Sequence, residues 1–119
     1  MSRQGEVHIN TIIVERNRWS GDRVPSYLVG DWLGRFADAG FDGIELWQNH
    51  ALMADEQELS RLAAADPPVR VFNGYAKFDD AGVEHRRRAD ELAVRLGADA
   101  IKFNLNNDRG AWDSQLAHV

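Results

Sequence analysis

Val69-Arg70-Val71-Phe72-Asn73, a helical stretch from Val83 to Leu96 closed by Gly97, and Ala100-Ile101-Lys102-Phe103-Asn104 form one strand–helix–strand unit. The two outer runs are short and largely apolar, which suits strands covered on both faces. Between them, Ala89, Leu92, Ala93 and Leu96 recur at helical spacing on one face. Gly97 stands where a left-handed cap ends a helix. A strand that returns through a helix to the next strand implies parallel pairing.

The same cycle extends upstream. Gly43-Ile44-Glu45-Leu46-Trp47 reads as a strand, followed by a helix from about Asp55 to Ala65 with Leu59, Leu62 and Ala63 inward. Pro67-Pro68 ends that helix. Earlier still, Val7 to Val14 is almost continuously apolar and reads as the first strand. A helix then starts near Pro25 and carries a stripe of Leu28, Val29, Trp32, Leu33, Phe36 and Ala37, with Gly40 as its cap. Downstream, Trp112, Leu116 and Val119 align on a fourth helix that starts near Gly110.

The expected fold is therefore α/β: four βα units on a parallel sheet. No glycine-rich phosphate fingerprint follows the first strand, where the sequence is Glu15-Arg16-Asn17-Arg18-Trp19. That counts against a dinucleotide-binding doubly wound sheet. A (β/α)8 TIM barrel needs eight units and about 250 residues. The 119 residues supply half, so residues 1–119 read as the N-terminal half of an incomplete barrel. The last stripe stops without a cap, which suggests truncation of a longer chain.

Composition sets outer bounds. The chain has no cysteine, so disulfides and thiolate metal sites are excluded. A formal net charge of −5 disfavours non-specific nucleic-acid binding, which depends on Lys and Arg neutralising phosphates. Arg86-Arg87-Arg88 is the only basic run and reads as a solvated helix face. No apolar run has the length of a membrane span, and no signal peptide is apparent at the N-terminus. The expected setting is cytoplasmic.

Ala39-Gly40-Phe41-Asp42-Gly43-Ile44-Glu45-Leu46-Trp47-Gln48-Asn49-His50 resembles the second βα unit of the xylose isomerase-like TIM barrels. Glu15 to Trp19, Leu96-Gly97-Ala98-Asp99 and Ile101-Lys102-Phe103-Asn104 fit the same superfamily. The resemblance implies a sugar or sugar-phosphate isomerase or epimerase acting on a small polyhydroxylated substrate. It also implies a divalent metal held by carboxylates and a histidine from the last four strands, beyond Val119. The isolated chain is then expected to lack the metal site and to be inactive. Endonuclease-type members of the superfamily add metal histidines on earlier strands; Asn73 and Asn104 stand there instead, which weakens the DNA-repair phosphodiesterase alternative.

Alternate strand residues point inward in a barrel, and function gathers at the C-terminal ends of the strands. This places Glu45, Trp47 and Asn49 inward on the second strand and Lys102 and Asn104 on the fourth. Glu45 and Lys102 are expected within ion-pair reach inside the barrel, as a structural pair or as substrate contacts. Trp47 is either a platform for a sugar ring or packing at the mouth. His50, just past the second strand, is a candidate for hydroxyl binding or proton transfer, or else a loop residue capping the next helix. The substrate-binding candidates are thus Glu45, Trp47, His50, Lys102 and Asn104, with no metal ligand among them. Arg16 and Arg18 could hold an anion. Asn106 is a further hydroxyl-binding candidate, while Asn107 and Asp108 fit a turn. His8 reads as structural; His85 and His118 read as solvent residues. A different reading treats the chain as a non-catalytic half-barrel that self-associates through its exposed sheet edges.

Overall fold

The computed structural model describes residues 5–75 and 79–103. Four strands, β1 (His8–Asn10), β2 (Gly43–Trp47), β3 (Val69–Gly74) and β4 (Ala100–Phe103), form one sheet. Every pairing is parallel and the order is β1-β2-β3-β4. Each strand thus lies beside its predecessor, and the winding never reverses within these four units. Such a reversal is what creates the ligand crevice of a doubly wound sheet. The sheet is an open arc and is not closed into a barrel.

Helix α1 (Leu33–Asp38) links β1 to β2, α2 (Asn49–Leu52) and α3 (Glu56–Ala63) link β2 to β3, and α4 (Val83–Leu96) links β3 to β4. Asp55 caps α3 by accepting the Glu58 backbone N–H at 2.8 Å. Gly97 ends α4 at φ 73°, a conformation that costs glycine no Cβ strain. Ile44, Leu46 and Phe72 are fully buried and share one apolar cluster with Phe36, Leu59, Leu62, Leu92 and Leu96. This face of the sheet is the core, as the helical spacing in α4 predicts.

Several expectations need correction. The first strand does not run to Val14: Asn10 Oδ1 accepts the Ile12 N–H at 3.1 Å, and Thr11–Val14 turn into a 3-10 helix. Ile13 and Val14 consequently face solvent. The first helix does not start near Pro25; a 3-10 turn covers Val29–Asp31 and the α-helix covers only Leu33–Asp38. Gly30 allows a close approach there, because a Cβ at this position would clash with the Arg61 and Glu58 side chains. The stripe narrows to buried Val29 and Phe36, with Leu28 and Ala37 exposed. Ala63 is also exposed rather than inward. His85 does not simply face solvent but reaches Gln48 Oε1 at 3.0 Å. Asn104, Asn106 to Asp108, His118 and the helix near Gly110 lie outside the described residues.

Candidate functional site

The face away from the helices carries the polar residues. Register aligns Asn10 with Glu45 and Glu45 with Val71; one step on, it aligns Trp47 with Asn73 and Asn73 with Lys102. Parallel partners leave the sheet on the same side, so Asn10, Glu45, Asn73 and Lys102 share the face opposite the apolar cluster. Asn10, Asn73 and Lys102 lie at or next to the C-terminal ends of their strands, where parallel α/β proteins place ligands, and Glu45 lies in the middle of β2.

Glu45 anchors this row. Asn10 Nδ2 donates to Glu45 Oε2, and Lys102 Nζ lies 3.9 Å from the same oxygen. Glu45 and Lys102 therefore reach ion-pair distance, but not as a buried pair. Lys102 is 53% exposed, so water solvates its ammonium and little desolvation has to be offset. Replacing Lys102 with Ala should change stability by no more than about 1 kcal/mol, the ceiling for exposed pairs. A chemical denaturation curve checks this, and a larger loss would mean that the lysine packs structurally.

Behind this row lies a sealed polar cluster. Thr11 and Glu15 are fully buried and His50 is 3% exposed. Thr11 Oγ1 accepts the Trp47 backbone N–H at 2.9 Å, so its own hydrogen is free to go to His50 Nδ1, 2.8 Å away. Glu15 Oε1 lies 2.9 Å from His50 Nε2. An ionised carboxylate only accepts, so Nε2 carries a proton, and with the Thr11 hydroxyl donating to Nδ1 the imidazole is neutral, in line with the burial that disfavours its charged form. Glu15 also accepts the backbone N–H groups of Asn17 at 2.8 Å and Ser26 at 2.9 Å. Tyr27 donates to Thr11 O at 2.7 Å, and Tyr27 and Trp47 both stand edge-on to the imidazole.

Burial would push the Glu15 carboxyl up, but hydrogen bonds from Ser26, Asn17 and His50 outweigh it and hold the group at about 2. Burial lowers His50 below its usual 6.5, against the opposing pull of Glu15 and Glu58. Both groups bind fewer protons folded than unfolded, so acid destabilises the fold through each of them. The His50 contribution is complete above 6.5 and fades as pH falls below that value; the Glu15 contribution fades between 4.5 and about 2. Thermal melts from pH 8 to pH 4 should show the midpoint falling below pH 6.5. His50→Gln should flatten that first decline, and an unchanged slope in the variant would remove His50 as its cause.

The cluster joins a hydroxyl, an imidazole and a carboxylate, yet no substrate reaches the Thr11 hydroxyl as it stands. Its action is mechanical: it ties the end of β1, the loop after it and α2 to the end of β2. His50 sits just past the second strand as expected, with both ring nitrogens engaged. Trp47 is only 2% exposed, so its ring packs the mouth. Asn49 Nδ2 donates to Arg23 O at 3.1 Å. Arg18 Nη1 donates to Glu15 O at 2.7 Å. His8 bonds Glu6 at the opposite end of the sheet.

Gln48 carries a second tie that sequence reasoning missed. Its Oε1 accepts the Tyr75 backbone N–H at 2.9 Å as well as the bond from His85 Nε2, so one amide joins the ends of β2 and β3 to α4. Among the described residues, no group of three His, Asp or Glu side chains could hold a metal. No described helix is long and apolar enough to cross a membrane. Comparison with protein-family models, with curated proteins and with solved structures finds no match to this chain.

Proposed function

We propose that this chain supplies the substrate-holding half of a parallel βα barrel that acts as an isomerase or epimerase on a small polyhydroxylated compound. The observation that carries this reading is the polar row of Asn10, Glu45, Asn73 and Lys102 on one face of a singly wound sheet. Amide, carboxylate and ammonium groups in one row offer both donors and acceptors, which suits hydroxyls and a carbonyl. The resemblance of residues 39–50 to the xylose isomerase-like barrels supports the same substrate class.

The role of the described residues is binding and orientation. The buried pair of metal-binding type, His50 and Glu15, is closed on itself and on Thr11, and no group of three among the described residues fits the divalent metal that the resemblance implies. No catalytic step through a metal follows from them. The ion pair of Glu45 and Lys102 would orient a hydroxyl between its head groups, while the sealed cluster keeps the mouth in shape.

The test is incubation of the chain in deuterated water with an aldopentose and a ketopentose, with and without added magnesium or manganese. The expected result is sugar binding, seen as saturation transfer in proton NMR, with no exchange of the proton next to the carbonyl. Solvent deuterium entering that position would show that this chain alone carries out the chemistry, contrary to the division proposed.

A further inference from the structure

Trp19, in the loop after β1, is 81% exposed and stands between Arg16 and Arg23. Among the described residues, the guanidinium groups of these two arginines meet no hydrogen-bond or ion-pair partner. Every other described arginine meets a carboxylate, a carbonyl or an aromatic ring. The loop itself is firmly built. Asn17 Nδ2 donates to Val24 O at 2.8 Å, the Arg23 N–H donates to Ser20 Oγ at 3.0 Å, and buried Glu15 accepts a backbone N–H at each end, from Asn17 and Ser26. Arg23 is held at φ 50°, a left-handed conformation that residues other than glycine seldom adopt. A fixed frame thus presents an indole flanked by two unpaired cations. Trp and Arg are the residues that anchor protein interfaces, and a preformed loop loses little freedom on docking.

The same chain carries a surface of complementary charge. Leu28, Asp31, Asp55, Gln57, Glu58 and Arg61 line a groove of about 250 Å³ on the helical side. That is below the roughly 300 Å³ at which small-molecule pockets begin, so the groove has room for a side chain from a partner. Three carboxylates and one guanidinium give it a formal charge of −2. Residues 16–24 of the loop carry +2, from three arginines and Asp22. Asp31 pairs with Arg61 but remains 59% exposed, so lone pairs of its carboxylate stay open to a second donor. Leu28 is 48% exposed and offers the groove an apolar wall.

We propose that the loop carrying Arg16, Trp19 and Arg23 docks into the acidic groove of a second copy of this chain. The indole packs against Leu28 of the other copy, and the two guanidinium groups pair with the exposed carboxylates of Asp31 and Asp55. Leu28 follows the loop closely in sequence, so loop and groove adjoin. A two-fold axis between them makes the same contact twice, which is the arrangement of an isologous dimer. This surface is distinct from the sheet edges and from the polar face of the sheet, and the proposal does not rest on the reading of that face as a ligand site.

The test is sedimentation velocity of the 119-residue chain from low micromolar to submillimolar concentration. The sedimenting mass should climb toward that of a dimer, and Trp19→Ser should weaken the association by about tenfold or more, as loss of an aromatic anchor does. Arg16→Glu with Arg23→Glu makes the loop acidic; Asp31→Lys with Gln57→Lys makes the groove basic. Each of these double variants alone should stay monomeric, because like charges then face each other. An equal mixture of the two should form a heterodimer, since both of its loop-to-groove contacts join opposite charges. All four positions are exposed, so the thermal midpoints should hold and a loss of association is not a loss of fold. A wild-type chain that is monomeric at every concentration overturns the proposal. Association that survives Trp19→Ser and both charge reversals belongs to another surface, such as a sheet edge, and overturns it equally. Folded double variants that fail to associate when mixed would show that the loop does not meet the groove.

Discussion

Glu15→Ala should lower the stability of this chain by on the order of 3 kcal/mol, because it strips a buried cluster of its only anion. Three groups lose their acceptor together: the backbone N–H groups of Asn17 and Ser26 and the Nε2–H of His50. His50 is then left with an unpaired donor in a closed site, and the Thr11 link to Trp47 loses its backing. For a domain near this size each kcal/mol moves the thermal midpoint by roughly 4–8 °C, so a fall of more than about 10 °C is expected. Glu15→Gln should fall between the two. It keeps one acceptor oxygen but turns an amide NH2 toward a backbone donor. Glu84→Ala serves as the control, since that carboxylate is exposed beside Arg87 and its loss should move the midpoint little. A Glu15→Ala midpoint within a degree or two of wild type would mean that the cluster does not hold the mouth together.

Phe72→Ala should cost a comparable amount, about 3–5 kcal/mol, the range for emptying a buried aromatic site. Phe72 is fully buried, paired in register with Leu46 and Ile101 on the helix-covered face. Its neighbour Val71 faces the opposite side and is only partly buried. Val71→Ala should accordingly cost far less. The contrast between two adjacent residues of one strand is the measurement: urea unfolding of the two variants side by side. Equal losses would mean that the face assigned to the ligand is packed as tightly as the core.

How much of this was legible in the sequence depended on the range of the forces involved. β2 and α4 lie where local pattern puts them, because apolar spacing and the Gly97 cap act within a few residues. The approach of Glu45 and Lys102 was also readable, since strand alternation puts both on one face of the sheet, but their expected enclosure was not, because the sheet is open and Lys102 is exposed. β1 was overextended because its apolar run outweighed a capping signal in Asn10. The region after Pro25 misled because its stripe looked helical, whereas Gly30 presses against Glu58 and Arg61 from a helix far along the chain.

The sealed cluster was out of reach for the same reason. Thr11 and Glu15 meet His50 across 39 and 35 positions of sequence. Glu15 stood in a run of charged residues that read as an open loop, and nothing local marks it as a buried anion. Nothing local marks Asn73 as a buried side chain either; neighbouring strands enclose it.

We propose that the polar face of the sheet, opposite the described helices, is the ligand site. Its most direct test is a titration of isotope-labelled chain with D-xylose, followed by amide chemical shifts. The account predicts shifts gathered at Asn10, Glu45, Asn73 and Lys102, with the helix surface silent. Shifts gathered instead on the groove between Leu28, Asp31, Asp55 and Arg61 on the helical side would contradict it.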